Sequence, residues 1–357
     1  MKRLVLLPVL LVLLTGCSAL VNSSYLHVSP YTEPVKQESE EGYQTAENYL
    51  SLKNALLYFV ENGQEQGSIR VYDYSGDLAS ELPEAVREVT EKDPLGVYAV
   101  ETMEAESSLI VAYQEIRVDI AFRRTPEQIK AIEPSTSMNV LTDRLEKAMA
   151  DYETEVTARV SYYNSEDVAA IPRNYYRSHP AEVMEMPKVT VNIYPEEGGY
   201  VRIIEVLMEY TNTAEQLRQY REAVQTSAHA AQEYVRYRET DTDKLQLLYT
   251  YLQERFSYVA IDTATPAYSF LCDGIATSEG AARSLQIICD EMELECYTVE
   301  GFRDGKPYVW NIVAVDGIYC HVDLYRLLME GSEGLLLLKD GAMTGYEWDV
   351  TEYPACP

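Results

Sequence analysis

The strongest constraint on the fold is that the chain repeats itself between about residues 45 and 232. Arg70–Tyr74 (RVYDY) returns as Arg159–Tyr163 (RVSYY), 89 residues later. Asp93-Pro94 returns as His179-Pro180, 86 later, and Phe122–Lys130 (FRRTPEQIK) as Tyr210–Arg218 (YTNTAEQLR), 88 later. Three matches in one order at a nearly constant offset imply duplication. They divide this region into two copies of one unit, 45–140 and 141–239, the second ending in a long helix. Each copy reads as helix, strand, helix, extended stretch and strand. Ile116, Val118, Ile120 and Phe122 alternate with Arg117, Asp119 and Ala121, the period of a strand with one buried face. Ile204, Val206, Met208 and Tyr210 do the same in the second copy. A helix then opens at Thr125 with Gln128, and again at Thr213 with Gln216, the spacing of a capping box. Pro126 fits the first helical position, where no N–H is needed. The second of these helices is expected to run to about Arg238. His179 and His229 lack a Cys or carboxylate at metal-ligand spacing, so both copies read as α+β packing or binding units without a catalytic constellation.

Charge narrows the partners. The 357 residues carry 58 acidic and 29 basic side chains, a net −29, which argues against nucleic acid because phosphate binding needs a basic footprint. Acidity is also the wrong sign for an anionic lipid surface, so membrane attachment needs another source. The N-terminus supplies one. Lys2 and Arg3 precede an apolar run, Leu4–Leu14, too short to span a bilayer. Leu14-Thr15-Gly16-Cys17 resembles the bacterial lipobox. That resemblance implies a signal peptide at 1–16, lipidation of Cys17 and an extracytoplasmic chain held to the membrane by its acyl groups. Residues 17–44 are polar, with two Pro and an acidic cluster, and read as a tether. The other cysteines, Cys272, Cys289, Cys296, Cys320 and Cys356, are odd in number, so at least one stays free or pairs between chains. No Cys/His spacing suggests zinc, and no cofactor or metal is expected.

Residues 240–357 form the last domain. Thr242 is placed to cap a helix whose Leu245, Leu248, Tyr249, Leu252 and Phe256 make one apolar stripe. A second helix starts near Ser278, which fits an N-cap, with Ala281, Ala282, Leu285, Ile288, Cys289 and Met292 on one face. Strands follow at Glu295–Glu300, Tyr308–Val315 and Ile318–Leu324, the last two joined by Asp316-Gly317, a strong two-residue hairpin signal.

Three stretches here, GIATSEGAA (Gly274–Ala282), YVWNIV (Tyr308–Val313) and YCHVD (Tyr319–Asp323), stand in an order that resembles the transglutaminase-like superfamily, whose core is papain-like. The tail, with LLLLKDGAM (Leu335–Met343) and YEWDVTEYPAC (Tyr346–Cys356), is similar to the end of bacterial members. The resemblance implies an α+β chain: a C-terminal transglutaminase-like domain preceded by two α+β repeats. It puts Ser278 where the family has its catalytic Cys, Tyr308 where it has its His, and Asp323 where it has its Asp. A hairpin closed at Asp316-Gly317 sets Val315 opposite Ile318 and Trp310 opposite Asp323, so Tyr308 and Asp323 share one face as diagonal neighbours. A phenol does not replace an imidazole, since its pKa near 10 makes it a poor proton acceptor at neutral pH. A Ser hydroxyl also needs a stronger base than a thiol does. Two of the three roles are missing together, which implies lost catalysis. His321 shares the face of Asp323 but lies opposite Ile312.

Three functions are compatible with this pattern. The first is a cell-surface lipoprotein that binds wall polymer, protein or peptide in a cleft around Trp310, Asn311 and Glu279. The second is an extracellular hydrolase, peptidase- or amidase-like, using Ser278 with another base. The third is an interaction scaffold in which the old cleft is filled core. An open groove over Ser278 and Trp310 favours binding; a sealed one favours the scaffold.

Overall fold

A computed structural model describes residues 42–161, 165–331 and 334–357. The signal peptide 1–16, Cys17 and the tether up to residue 41 lie outside the described residues. The first unit runs β1 (Gln44–Thr45), α1 (Tyr49–Glu61), β2 (Gln66–Val71), α2 (Leu78–Glu91), α3 (Pro94–Ala99), β3 (Val100–Ile110) and β4 (Tyr113–Phe122). Its sheet has the order β1-β2-β4-β3, with β1 parallel to β2 and the other pairs antiparallel. Polar caps start the helices: Asn48 and Ser51 form a reciprocal box, while Asp77 and Asp93 accept backbone N–H groups of α2 and α3. Ile69, Val71, Ile116, Val118 and Ile120 bury one face of the sheet against Leu52, Leu56 and Phe59 of α1.

After α4 (Pro126–Lys130) the pattern recurs as β5 (Glu133–Ser135), α5 (Met138–Asp151), β6 (Glu155–Val160), α6 (Ser165–Ser178), β7 (Lys188–Tyr194), β8 (Arg202–Glu209) and α7 (Ala214–Val235). The order β5-β6-β8-β7 and its strand directions repeat those of the first sheet. β1, β2 and β4 each begin 89 residues before β5, β6 and β8. The extended stretch before the last strand is itself a strand, β3 or β7, paired with it as a hairpin. Both expected capping boxes form, at Thr125/Gln128 and Thr213/Gln216. α4 stops after one turn and α7 ends at Val235, short of Arg238.

The first unit sits on the outer face of the second sheet. α3 packs on β7 and β8, and Ile203 and Tyr194 join the first unit's core. Arg124 pairs with the buried Glu205 at 2.8 Å, donates to the Tyr194 hydroxyl at 3.1 Å and lies over the Tyr98 ring. The corresponding face of the first sheet carries Ser68, Glu115, Arg117 and Glu106 and is open to water.

The last part comprises α8 (Asp241–Arg255), β9 (Val259–Ala260), α9 (Pro266–Tyr268) running into a wide turn at Ser269–Asp273, β10 (Ile275–Ala276), α10 (Ser278–Glu291), β11 (Cys296–Arg303), β12 (Lys306–Val315), β13 (Ile318–Val322), α11 (Leu324–Glu330) and β14 (Tyr346–Glu347). An antiparallel sheet of order β13-β12-β11-β14 packs against α10. α8 is capped by Thr240 and not by Thr242, whose hydroxyl donates instead to Asp316 of the hairpin turn at 2.7 Å. Phe256 lies past the end of α8. α10 is capped by Thr277, one residue before the expected Ser278. One apolar core runs through the second unit and the last domain, with Leu217 and Val224 of α7 and Leu285 and Ile288 of α10 in the same cluster. The chain is α+β throughout. Among the described residues no helix is long and apolar enough to cross a membrane.

Candidate functional site

The β12–β13 hairpin fixes the site. Its register is the one expected from Asp316-Gly317, Val315 opposite Ile318 through to Asn311 opposite Val322, which sets Trp310 beside Asp323. Residues of β12 alternate between two environments. Asn311 and Val313 face α10: Asn311 is fully buried and donates to the Ala282 carbonyl at 3.0 Å. Tyr308, Trp310 and Ile312 face the other way, where Met343, Tyr346, Trp348 and Cys356 of the C-terminal segment cover them. Trp310 is 1% exposed. Trp310 and Asn311, expected in a binding cleft, are therefore core residues on opposite faces of one strand.

Asp323 is the centre of this face. It follows β13 directly and caps α11 by accepting the Arg326 N–H at 2.9 Å. Its carboxylate also accepts the Tyr308 hydroxyl at 3.0 and 3.1 Å and the Tyr346 hydroxyl. Burial raises its pKa, and these donors work against that rise. Burial and the nearby carboxylate push both phenols well above the usual tyrosine range, so neither yields a proton or serves as a base near neutrality. Arg303 closes the group, its guanidinium 5.4 and 5.6 Å from the Tyr308 and Tyr346 rings and paired with Glu330 at 2.8 Å. Both phenols donate to Asp323, and Arg303 donates in turn to the Tyr308 hydroxyl at 3.4 Å as well as to Glu330. The Tyr308–Asp323 contact follows from the hairpin register; Tyr346, Arg303 and Glu330 carry no signal at the sequence level, because their approach depends on how the tail folds back.

Ser278 is separate from this network. It is the first residue of α10 and half-buried, and among the described residues no hydrogen bond joins it to Tyr308 or Asp323. Its surroundings are taken up by packing. Glu279 accepts the Tyr176 hydroxyl of α6 at 2.7 Å, so it serves a contact between units. Gly280 lies so close to α9 that a Cβ there would sit 2.6 Å from the Pro266 carbonyl oxygen. An open depression of about 710 Å³ is formed by the C-terminal segment itself, between Leu337 and Ala342 and at Cys356 and Pro357, and is lined by neither Ser278 nor Trp310.

His321, Asp340 and Cys356 bring three ligand-type atoms within 4.8 Å of one another. Their hydrogen bonds oppose a metal. The Trp310 indole N–H, which only donates, points at His321 Nδ1 at 3.0 Å. Neutral His321 therefore carries its hydrogen on Nε2 and gives it to Asp340 at 2.9 Å. A ligating Nε2 would move that hydrogen to Nδ1, against the indole N–H. With no metal beside it, burial pushes the Cys356 thiol up to about 12 and keeps it protonated. All five described cysteines are free thiols.

No family model matches the chain, and no curated protein matches it. Among solved structures it is similar to a TGase, at 9% identity over 57% of this chain and 61% of that one, with a TM-score of 0.28. It is also similar to a candidate cysteine protease from Cytophaga hutchinsonii, at 10% identity over 45% of this chain and 70% of that one, TM-score 0.26. A candidate protease from Parabacteroides distasonis follows, at 9% identity over 72% of this chain and 39% of that one, TM-score 0.24. The chain thus spans 61% of the length of the first of these and less than half of the third.

Proposed function

We propose that this chain is a non-catalytic interaction scaffold, anchored outside the cytoplasm through Cys17, whose C-terminal domain is transglutaminase-like with its catalytic positions given over to structure. The observation that carries this is the saturation of Asp323 by Tyr308, Tyr346 and the Arg326 N–H beneath a buried Trp310. A family Asp would hold an imidazole there; here two phenols occupy it. Ser278 has no base within hydrogen-bond distance among the described residues, so hydrolysis has nothing to support it. A wall polymer, protein or peptide is taken on an outer surface and not in the family cleft. The test is turnover by the purified chain on peptide, glutamine-amide and peptidoglycan substrates, beside its Ser278→Ala variant. Neither is expected to turn over any of them. Turnover that disappears in Ser278→Ala would overturn the proposal.

A further inference from the structure

The β3–β4 hairpin reaches beyond the rest of its sheet. β2 ends at Val71, opposite Gln114, while the β3–β4 ladder continues to Ile110 opposite Tyr113. Leu109, Ile110 and Val111 are 79%, 37% and 103% exposed at this tip. The second unit has no aliphatic tip of this kind: its hairpin closes through residues 195–201, which hold two Glu and two Gly beside an exposed Tyr200. Immediately behind the aliphatic tip stands Tyr72, 57% exposed, its ring 5.4 Å from that of Tyr113. Behind the rings lies Arg70, its guanidinium 5.2 Å from the Tyr113 ring and 3.7 Å from that of Tyr43.

Aliphatic tip, tyrosines, then guanidinium is the order in which such groups settle across a bilayer interface: chains at the acyl boundary, phenols at the headgroups, the cation at the phosphates. The tip is convex, which suits a soft surface better than a protein pocket. Its position agrees with attachment, because Tyr43 is where the segment bearing Cys17 enters the fold, with 25 residues between them. Behind the tip Glu106 and Glu115 stand opposite Arg117 and Arg70, so this face offers no net positive charge, and with the chain at −29 it favours zwitterionic over anionic lipid. We infer that the β3–β4 tip is a second membrane contact, lying in the headgroup–acyl boundary of a phosphatidylcholine-like surface while the chain is anchored. This rests on the anchoring proposed above.

The test uses the full lipidated chain in phosphatidylcholine vesicles with and without brominated acyl chains, which quench tryptophan on contact. Val111→Trp reports on the tip, and Gln66→Trp reports on the other end of β2. A tryptophan buried about 5–10 Å deep meets the brominated chains and should lose fluorescence to them, read after subtracting the signal of Trp310 and Trp348 in the unsubstituted chain. That loss is expected for Val111→Trp and not for Gln66→Trp, and Leu109→Ser beside the reporter, or anionic lipid in the vesicle, should diminish it. Vesicles that carry the protein while both reporters quench alike would overturn the tip contact and leave the anchor standing. Protein that fails to float with vesicles would remove the anchor, and the tip contact with it. Vesicle-free self-association abolished by Leu109→Ser with Val111→Ser would assign the tip to a second copy of the chain and overturn the proposal.

Discussion

His321 on β13 and Asp323 just past its end show how a site can be held by hydrogen bonds alone. Asp323 takes three, and loss of one leaves a buried carboxylate short of a partner. A hydrogen bond to a charged group contributes about 1.5–3 kcal/mol. Tyr346→Phe, which keeps the ring packed on Trp310, is expected to lower unfolding stability by about 2 kcal/mol in urea titration. His321 makes a different prediction. Its lone pair on Nδ1 receives Trp310, so protonation breaks that bond, and burial lowers its pKa below 6.5 although Asp340 opposes the shift. Below pH 6.5 the unfolded chain takes up a proton that the folded chain refuses. The stability this histidine contributes is therefore full above that pH and declines as pH falls. Urea midpoints from pH 8 to pH 5 should show His321→Gln less stable at the alkaline end and the difference shrinking below about 6.5. A difference independent of pH would mean that His321 titrates alike in both states. Of this cluster, the pairing of Tyr308 with Asp323 could be read from a two-residue turn and a period of two. The Trp310–His321–Asp340 chain could not, because Asp340 reaches it through an irregular segment with no period.

The duplicated units show what a repeat fixes and what it leaves free. Strand positions, capping boxes and the alternation of β4 and β8 are local, and an offset of 88 to 89 residues carries them from one copy to the next. The surfaces exposed by the two copies are not equivalent. Where the second sheet presents Ile203, Glu205 and Thr157 to the first unit, the first sheet presents Glu115, Arg117 and Ser68 to water. A stack of repeats needs a polar outer face at its end, and the first unit supplies it. The joint depends on Arg124, just after β4, reaching Glu205, whose side chain is 2% exposed. Breaking a buried pair from one side leaves an uncompensated charge, at about 3–5 kcal/mol. Arg124→Ala should cost about that much, whereas Arg124→Ala with Glu205→Leu should recover much of it. Urea titration of the four chains of this cycle checks both. Equal stability of the Arg124→Ala and parent chains would show that the two units are not held together here. Nothing in the sequence marks Arg124 off from its neighbour Arg123, because the difference lies in the surface opposite.

At the scale of the molecule, the last domain does not close on itself. Its helix α10 shares a core with α7, and Arg283, 3% exposed within a run of small and apolar side chains, ties α10 to α6 and the segment after it. Helical periodicity alone would place an arginine at this position on a solvated face. Instead its guanidinium lies 3.6 Å from the centre of the Tyr176 ring and donates to the Tyr176 and Val183 carbonyl oxygens at 2.7 and 2.9 Å. Both carbonyls belong to the second unit. Arg283→Met fills much of the same space but leaves them without that donor, at about 1–3 kcal/mol for each buried acceptor, or about 3 kcal/mol in all. A core shared across a boundary also predicts how the chain unfolds. Both tryptophans, Trp310 and Trp348, lie in the last domain, so fluorescence follows that domain while far-ultraviolet circular dichroism follows the whole chain. If the second unit and the last domain are one cooperative body, Arg283→Met shifts the fluorescence transition and the main dichroism transition to lower urea together. A fluorescence transition that moves alone, with the dichroism of the repeats unchanged, would mean that the last domain folds independently and that Arg283 joins two finished structures.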